Sequence, residues 1–72
     1  MGEMKTYEII TVNGDIIEHI SAKDERQALC IYLMSHEELD DMMLWKNPYG
    51  YWRLAEYDNE TEFIFARKIY DF

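Results

Sequence analysis

Apolar positions in this chain change period along its length, and each change marks an element. Tyr7 to Val12 (YEIITV) and Ile16 to Ile20 (IIEHI) are β-branched runs of strand length. Asn13-Gly14 between them is a strong short hairpin signal, so a β-hairpin opens the chain. A two-residue turn sets Ile10 against Ile17 and Tyr7 against Ile20. A three-residue loop that includes Asp15 moves the register by one and exchanges the faces of the second strand.

The period then becomes helical. Over Ser21 to Met34, Ala28, Ile31 and Tyr32, with Leu29 and Leu33 beside them, recur at three- and four-residue spacing and form a broad apolar stripe. Asp24 is placed to cap the helix and Gln27 to reach back as in a capping box, while Glu25 sits at the positive end of the helix dipole. Ser35 to Trp45 (SHEELDDMMLW) repeats the capping signal, Ser35 with Glu38, ahead of Leu39, Met42 and Met43, which predicts a short second helix. That helix must end before the turn Asn47-Pro48-Tyr49-Gly50, because proline disfavours helix at the residue before it.

Two aromatic and β-branched runs follow, Tyr51 to Tyr57 and Glu62 to Tyr70, separated by Asp58-Asn59-Glu60. They predict a second hairpin, with Leu54 opposite Phe63 and Trp52 opposite Phe65 if Asp58-Asn59 is the turn. The fold class is therefore α+β: one domain over residues 1–72, an antiparallel four-stranded sheet of two hairpins packed on one main helix, in the order ββα(α)ββ. Both faces of the second hairpin are apolar, since the face opposite Leu54 still carries Tyr51, Ile64 and Ala66 around Arg53. One helix covers one face. The second helix, a second copy of the chain or a target must shield part of the other.

Charge narrows the function classes. The net charge is −8, with fifteen acids against seven bases, and the surplus is concentrated: residues 35–62 hold eight acids against Lys46 and Arg53. Such a field repels nucleic acid and anionic membrane and attracts basic surfaces. The aromatic strands suggest base stacking, but phosphate binding draws most of its affinity from Lys and Arg, which are outnumbered here. The single Cys30 lies among apolar neighbours and implies a reducing compartment. With neither a membrane-length apolar run nor a signal-peptide core, a cytoplasmic location is expected.

Catalytic and metal-binding patterns are incomplete. His36-Glu37-Glu38 with Asp40 and Asp41 has the residue types of a cation site but lacks the second histidine of a zinc helix. Asp58, Glu60 and Glu62 alternate as calcium ligands do, without the loop glycine or the terminal bidentate acid. Asn59-Glu60-Thr61 is a glycosylation sequon, which has no use without secretion, and His19 reads as a strand histidine. The match of Met1 to Thr6 to a myristoylation pattern conflicts with a strand starting near Lys5. No enzyme, cofactor or metal is expected.

Two readings of the chain follow. In one it is a non-enzymatic acidic protein, of the kind phages and mobile elements carry, that mimics nucleic-acid charge and blocks the basic groove of a DNA- or RNA-binding enzyme. The acids assigned to that contact are Glu37, Glu38, Asp40, Asp41, Glu56, Asp58, Glu60 and Glu62. In the other it is an accessory or homodimerisation module working through the apolar sheet face, with Tyr51, Arg53 and Tyr57 at the contact.

Overall fold

The structure is a computed structural model that describes residues 3–56 and 59–69, and for residues 59–61 the backbone alone. The elements are β1 (Lys5–Thr11), β2 (Ile16–Ala22), α1 (Glu25–Ser35), a short 3-10 turn (Glu37–Leu39), β3 (Met42–Lys46), β4 (Trp52–Glu56) and β5 (Asn59–Lys68). The α+β class holds, but the sheet has five antiparallel strands rather than four, in the order β2-β1-β5-β4-β3. The last strand returns to the middle and pairs with the first.

The predicted second helix does not form. Ser35 is the last residue of α1 and its hydroxyl donates to the Ile31 carbonyl, so it ends one helix instead of capping another. Glu38 turns instead to the His36 ring, its Oε1 lying 3.0 Å from Nδ1. Only Glu37–Leu39 coil, as a single 3-10 turn, and Met42–Lys46 extend as an edge strand. Period two explains the change. Met42 and Leu44 point to the helix-side core, Met43 and Trp45 to the opposite face, and pairing with β3 satisfies the outer backbone edge of β4.

Both described hairpin loops share one construction. In the first, Gly14 N–H donates to the Thr11 carbonyl, Thr11 N–H to the Asp15 carbonyl, and Asp15 N–H to Thr11 Oγ1. In the second, Gly50 N–H donates to the Asn47 carbonyl, Asn47 N–H to the Tyr51 carbonyl, and Tyr51 N–H to Asn47 Oδ1. Each is a three-residue loop with glycine at positive φ, +92° at Gly14 and +94° at Gly50.

The first loop therefore comprises Val12-Asn13-Gly14, matching neither expected turn. It sets Ile10 opposite Ile16, and a bulge at Ile17 then restores the two-residue register, with Tyr7 opposite Ile20. Strands β4 and β5 are likewise one residue from expectation: Leu54 faces Ile64 and Arg53 faces Phe65, until an irregularity after Ala55 sets Glu56 against Asn59. The predicted turn residue Asp58 lies outside the described residues.

The helix starts as its residues require. Asp24 Oδ1 accepts Gln27 N–H at 2.8 Å, and Gln27 Oε1 reaches back to Lys23 N–H at 2.7 Å, one residue before the cap. Ala28, Leu29 and Tyr32 of α1 then pack on Tyr7, Ile9, Ile20, Ala22, Leu54 and Ala66 of the sheet, all buried. Ile9, Leu29 and Leu54 are fully enclosed and mark the centre of this core.

Candidate binding surface

Strand direction sorts the charges. In an antiparallel sheet, β1 and β4 start at the end where β2, β3 and β5 finish, and α1 starts there too. That end holds Lys5, Lys23, Arg26, Arg67 and Lys68, while Lys46 and Arg53 lie nearer the middle of the sheet, Arg53 level with Phe65 and Ile10. The acids that share it are Glu3, Glu8, Asp24 and Glu25 among the described residues, and Glu8 is paired with Arg67 at 2.7 Å across β1 and β5.

The opposite end carries Glu37, Glu38, Asp40 and Asp41 in the connection from α1 to β3, Glu56 where β4 finishes, Glu62 early in β5, and Asp15 in the first hairpin loop. Each of these side chains is exposed. No lysine or arginine lies among them. The fold thus gathers six of the eight acids assigned from sequence at one end. Glu60 has its backbone there, and Asp58 is outside the described residues.

His36 anchors this acidic end. Its ring stacks on Tyr32 with centroids 4.3 Å apart, and its two nitrogens face Glu38 at 3.0 Å and Glu18 of β2 at 3.7 Å. The Glu38 carboxyl is held below its ordinary range, first by a backbone hydrogen bond and then by His36. The histidine considered for a metal site thus ties the end of α1 to β2. Among the described residues no three His, Cys, Asp or Glu side chains converge as a cation site.

The second surface is the sheet face away from α1. With no second helix, nothing within the described chain lies over it. A row of cross-strand neighbours runs the full width of this face: Ile16, Ile10, Phe65, Arg53 and Trp45, one from each strand. Phe63, Ala55 and Met43 form a second row beside it. Ile10 and Ala55 are buried beneath their larger neighbours, whereas the edges stay open, with Ile16 54% and Met43 47% exposed. The Arg53 guanidinium lies 5.3 Å from the Phe63 ring centre, and Trp45 Nε1 donates to the Ala55 carbonyl at 3.4 Å.

Of the three residues assigned to this face from sequence, Arg53 is within the row and Tyr51 is 61% exposed at its basic end; Tyr57 lies outside the described residues. Sequence reasoning missed Ile16, Met43 and Trp45. The alternation of M-M-L-W-K was the available signal, and it was absorbed into a helix.

A cleft of about 640 Å³ opens at the basic end, lined by Tyr7, Trp52, Phe65, Arg53, Arg67 and Lys68, with Glu25 on its wall. Trp52 is flanked there by Arg26 and Lys46, 5.5 and 5.7 Å from its ring centre. Comparison with known protein families, curated proteins and solved structures finds no match to this chain. Among the described residues, no helix is long and apolar enough to cross a membrane.

Proposed function

We propose that this chain is a non-enzymatic binding protein whose acidic end, Glu37, Glu38, Asp40, Asp41, Glu56 and Glu62, docks in the basic groove of a nucleic-acid-binding protein and competes with the nucleic acid. One observation carries the reading: exposed carboxylates from a turn, two strands and a helix–strand connection are collected at one end, with no lysine or arginine among them. A field of that shape orients the chain before contact, so a basic surface meets the acids first. Competition with nucleic acid then follows from occupying the same cations that bind phosphates.

The test is capture on the immobilised chain followed by elution with salt or with duplex DNA or RNA. The expected partner elects for release by nucleic acid and by about 500 mM salt, where screening is strong. It is lost when Glu37→Gln, Glu38→Gln, Asp40→Asn and Asp41→Asn are combined, while the far-ultraviolet circular dichroism is unchanged. A partner that survives salt and polyanion, or binds the neutralised variant equally well, refutes the proposal.

A further inference from the structure

We infer that the cleft at the basic end is a binding site for a small planar aromatic anion, a ring carrying a carboxylate or a phosphate. The strand ladders create the space. β3 and β4 stay in register as far as Lys46 and Trp52, and β1 and β5 as far as Tyr7 and Lys68, but the register between β4 and β5 stops at Arg53 and Phe65. Beyond that pair Trp52 continues with β3, while Ala66, Arg67 and Lys68 continue with β1. The cleft of about 640 Å³ opens there, lined from both halves of the sheet, and its volume is that of a small-molecule pocket.

The side chains at its mouth select the occupant. Phe65 and Arg67, two residues apart on β5, share the face away from α1; Arg53 is directly across from Phe65, and Tyr51, 61% exposed, borders the same cleft. Two rings and two guanidinium groups are thus held around one space. Glu8 accepts from Arg67 Nη2 at 2.7 Å, which fixes the guanidinium, yet that side chain stays 63% exposed and keeps further N–H donors for an incoming oxygen anion. Arg53 lies over the Phe63 ring, 5.3 Å from its centre, so its charge is also held in place. Lys68 adds a third cation, and Glu25 is the one carboxylate among the described lining residues. A neutral ring would make no use of the arginines, and a bare inorganic anion would leave Phe65 and Tyr51 uncovered. A ring that carries the anion satisfies both.

NMR titration of the isotope-labelled full chain with naphthoate tests this, with naphthylmethanol as the uncharged ring and cyclohexanecarboxylate as the non-aromatic anion. Naphthoate is expected to bind with a millimolar or tighter dissociation constant, shifting the amides of Arg53, Phe65, Ala66 and Arg67 and the Trp52 indole; each control binds at least about fivefold more weakly. Arg67→Gln, at an exposed position, weakens naphthoate at least about fivefold. Lys23→Gln changes the net charge equally outside the lining and leaves the affinity within about twofold. Adenosine monophosphate, titrated in parallel, identifies the anion: tighter binding than naphthoate at the same amides supports a phosphate-bearing ring, weaker binding a carboxylate. The proposal is overturned if neither anion shifts these amides, if naphthylmethanol binds as well as naphthoate, or if Arg67→Gln has no effect. The comparison of probes uses the unaltered chain and depends on no variant folding. It also involves no residue of the acidic end, so this site and the proposed partner contact fail separately.

Discussion

Replacing Asp24 with alanine removes the side chain that starts α1, and the structure sets the size of the effect. At eleven residues α1 is shorter than isolated helices that hold together in water, so it depends on its cap and on sheet packing. Asp24 Oδ1 holds Gln27 N–H at 2.8 Å in an exposed position, where loss of a cap costs about 1 kcal/mol. Gln27→Ala removes only the reach-back bond to Lys23 N–H, costing about 0.5–1 kcal/mol. The two bonds close one loop, so the double variant should lose less than the two single losses together, with a coupling of about 0.5 kcal/mol. For a domain of this size, 1 kcal/mol moves Tm by roughly 4–8 °C, readily seen by circular dichroism. Asp24→Asn keeps the acceptor and loses only the charge at the helix dipole, so it should fall by a few tenths of a kcal/mol. If Asp24→Asn melts as low as Asp24→Ala, the charge and not the cap holds the helix, and the capping argument is wrong.

Three further outcomes are expected. Leu54→Ala empties the fully enclosed centre of the core at a cost of about 2–5 kcal/mol, comparable to the whole stability of a domain this small, so the variant should show no cooperative urea transition. Burial raises the hydroxyl pKa of Tyr7 and Tyr32 above 10.0, with Glu25 and Asp24 adding to it at Tyr7, and Glu18 and Glu38 at Tyr32. The protonated phenols favour the folded state, so their contribution is complete below about pH 10 and is lost as pH rises through the folded values. Urea midpoints should therefore drop above pH 10 and drop less in Tyr7→Phe and Tyr32→Phe; equal losses in all three proteins would rule this out. Gly14→Ala meets no atom within 4 Å but forces alanine to φ +92°, costing about 1–2 kcal/mol by thermal melt, whereas Gly14→Asn should cost less because asparagine tolerates positive φ.

The helix and first hairpin were legible because their signals are local. Asp24 with Gln27 states the start of α1, and Asn13-Gly14 states a turn, whatever the rest of the chain does. Residues 35–45 misled for a physical reason. Ser35 and Glu38 have capping-box spacing, yet M-M-L-W is too short for period alone to separate helix from strand, and the edge of β4 decided the matter. The full registers were out of reach because loop length and irregularities act together: the bulge at Ile17 restores the expected pairing of Tyr7 with Ile20 after a three-residue loop, whereas Leu54 already faces Ile64 before the irregularity after Ala55. The acidic run was visible as composition. That Glu62 and Asp15 share its end depends on strand directions no local window contains.

The same geometry explains how so small a fold tolerates its charge. Eight acids inside a helix–strand core would need partners, but among the described residues no acidic or basic side chain is buried. The acids of residues 37–41 lie in a 3-10 turn and its exit, where water solvates them, and Glu56 and Glu62 lie on exposed positions of β4 and β5. Had that stretch remained helical, Met42 and Met43 would share one helix face and β4 would have an open backbone edge. As a turn followed by a strand, it places carboxylates at the rim and sends Met42 and Met43 to opposite faces of the sheet. The conversion that sequence periodicity missed therefore does two things at once: it lays down the acidic end, and it extends the uncovered apolar band to a fifth strand.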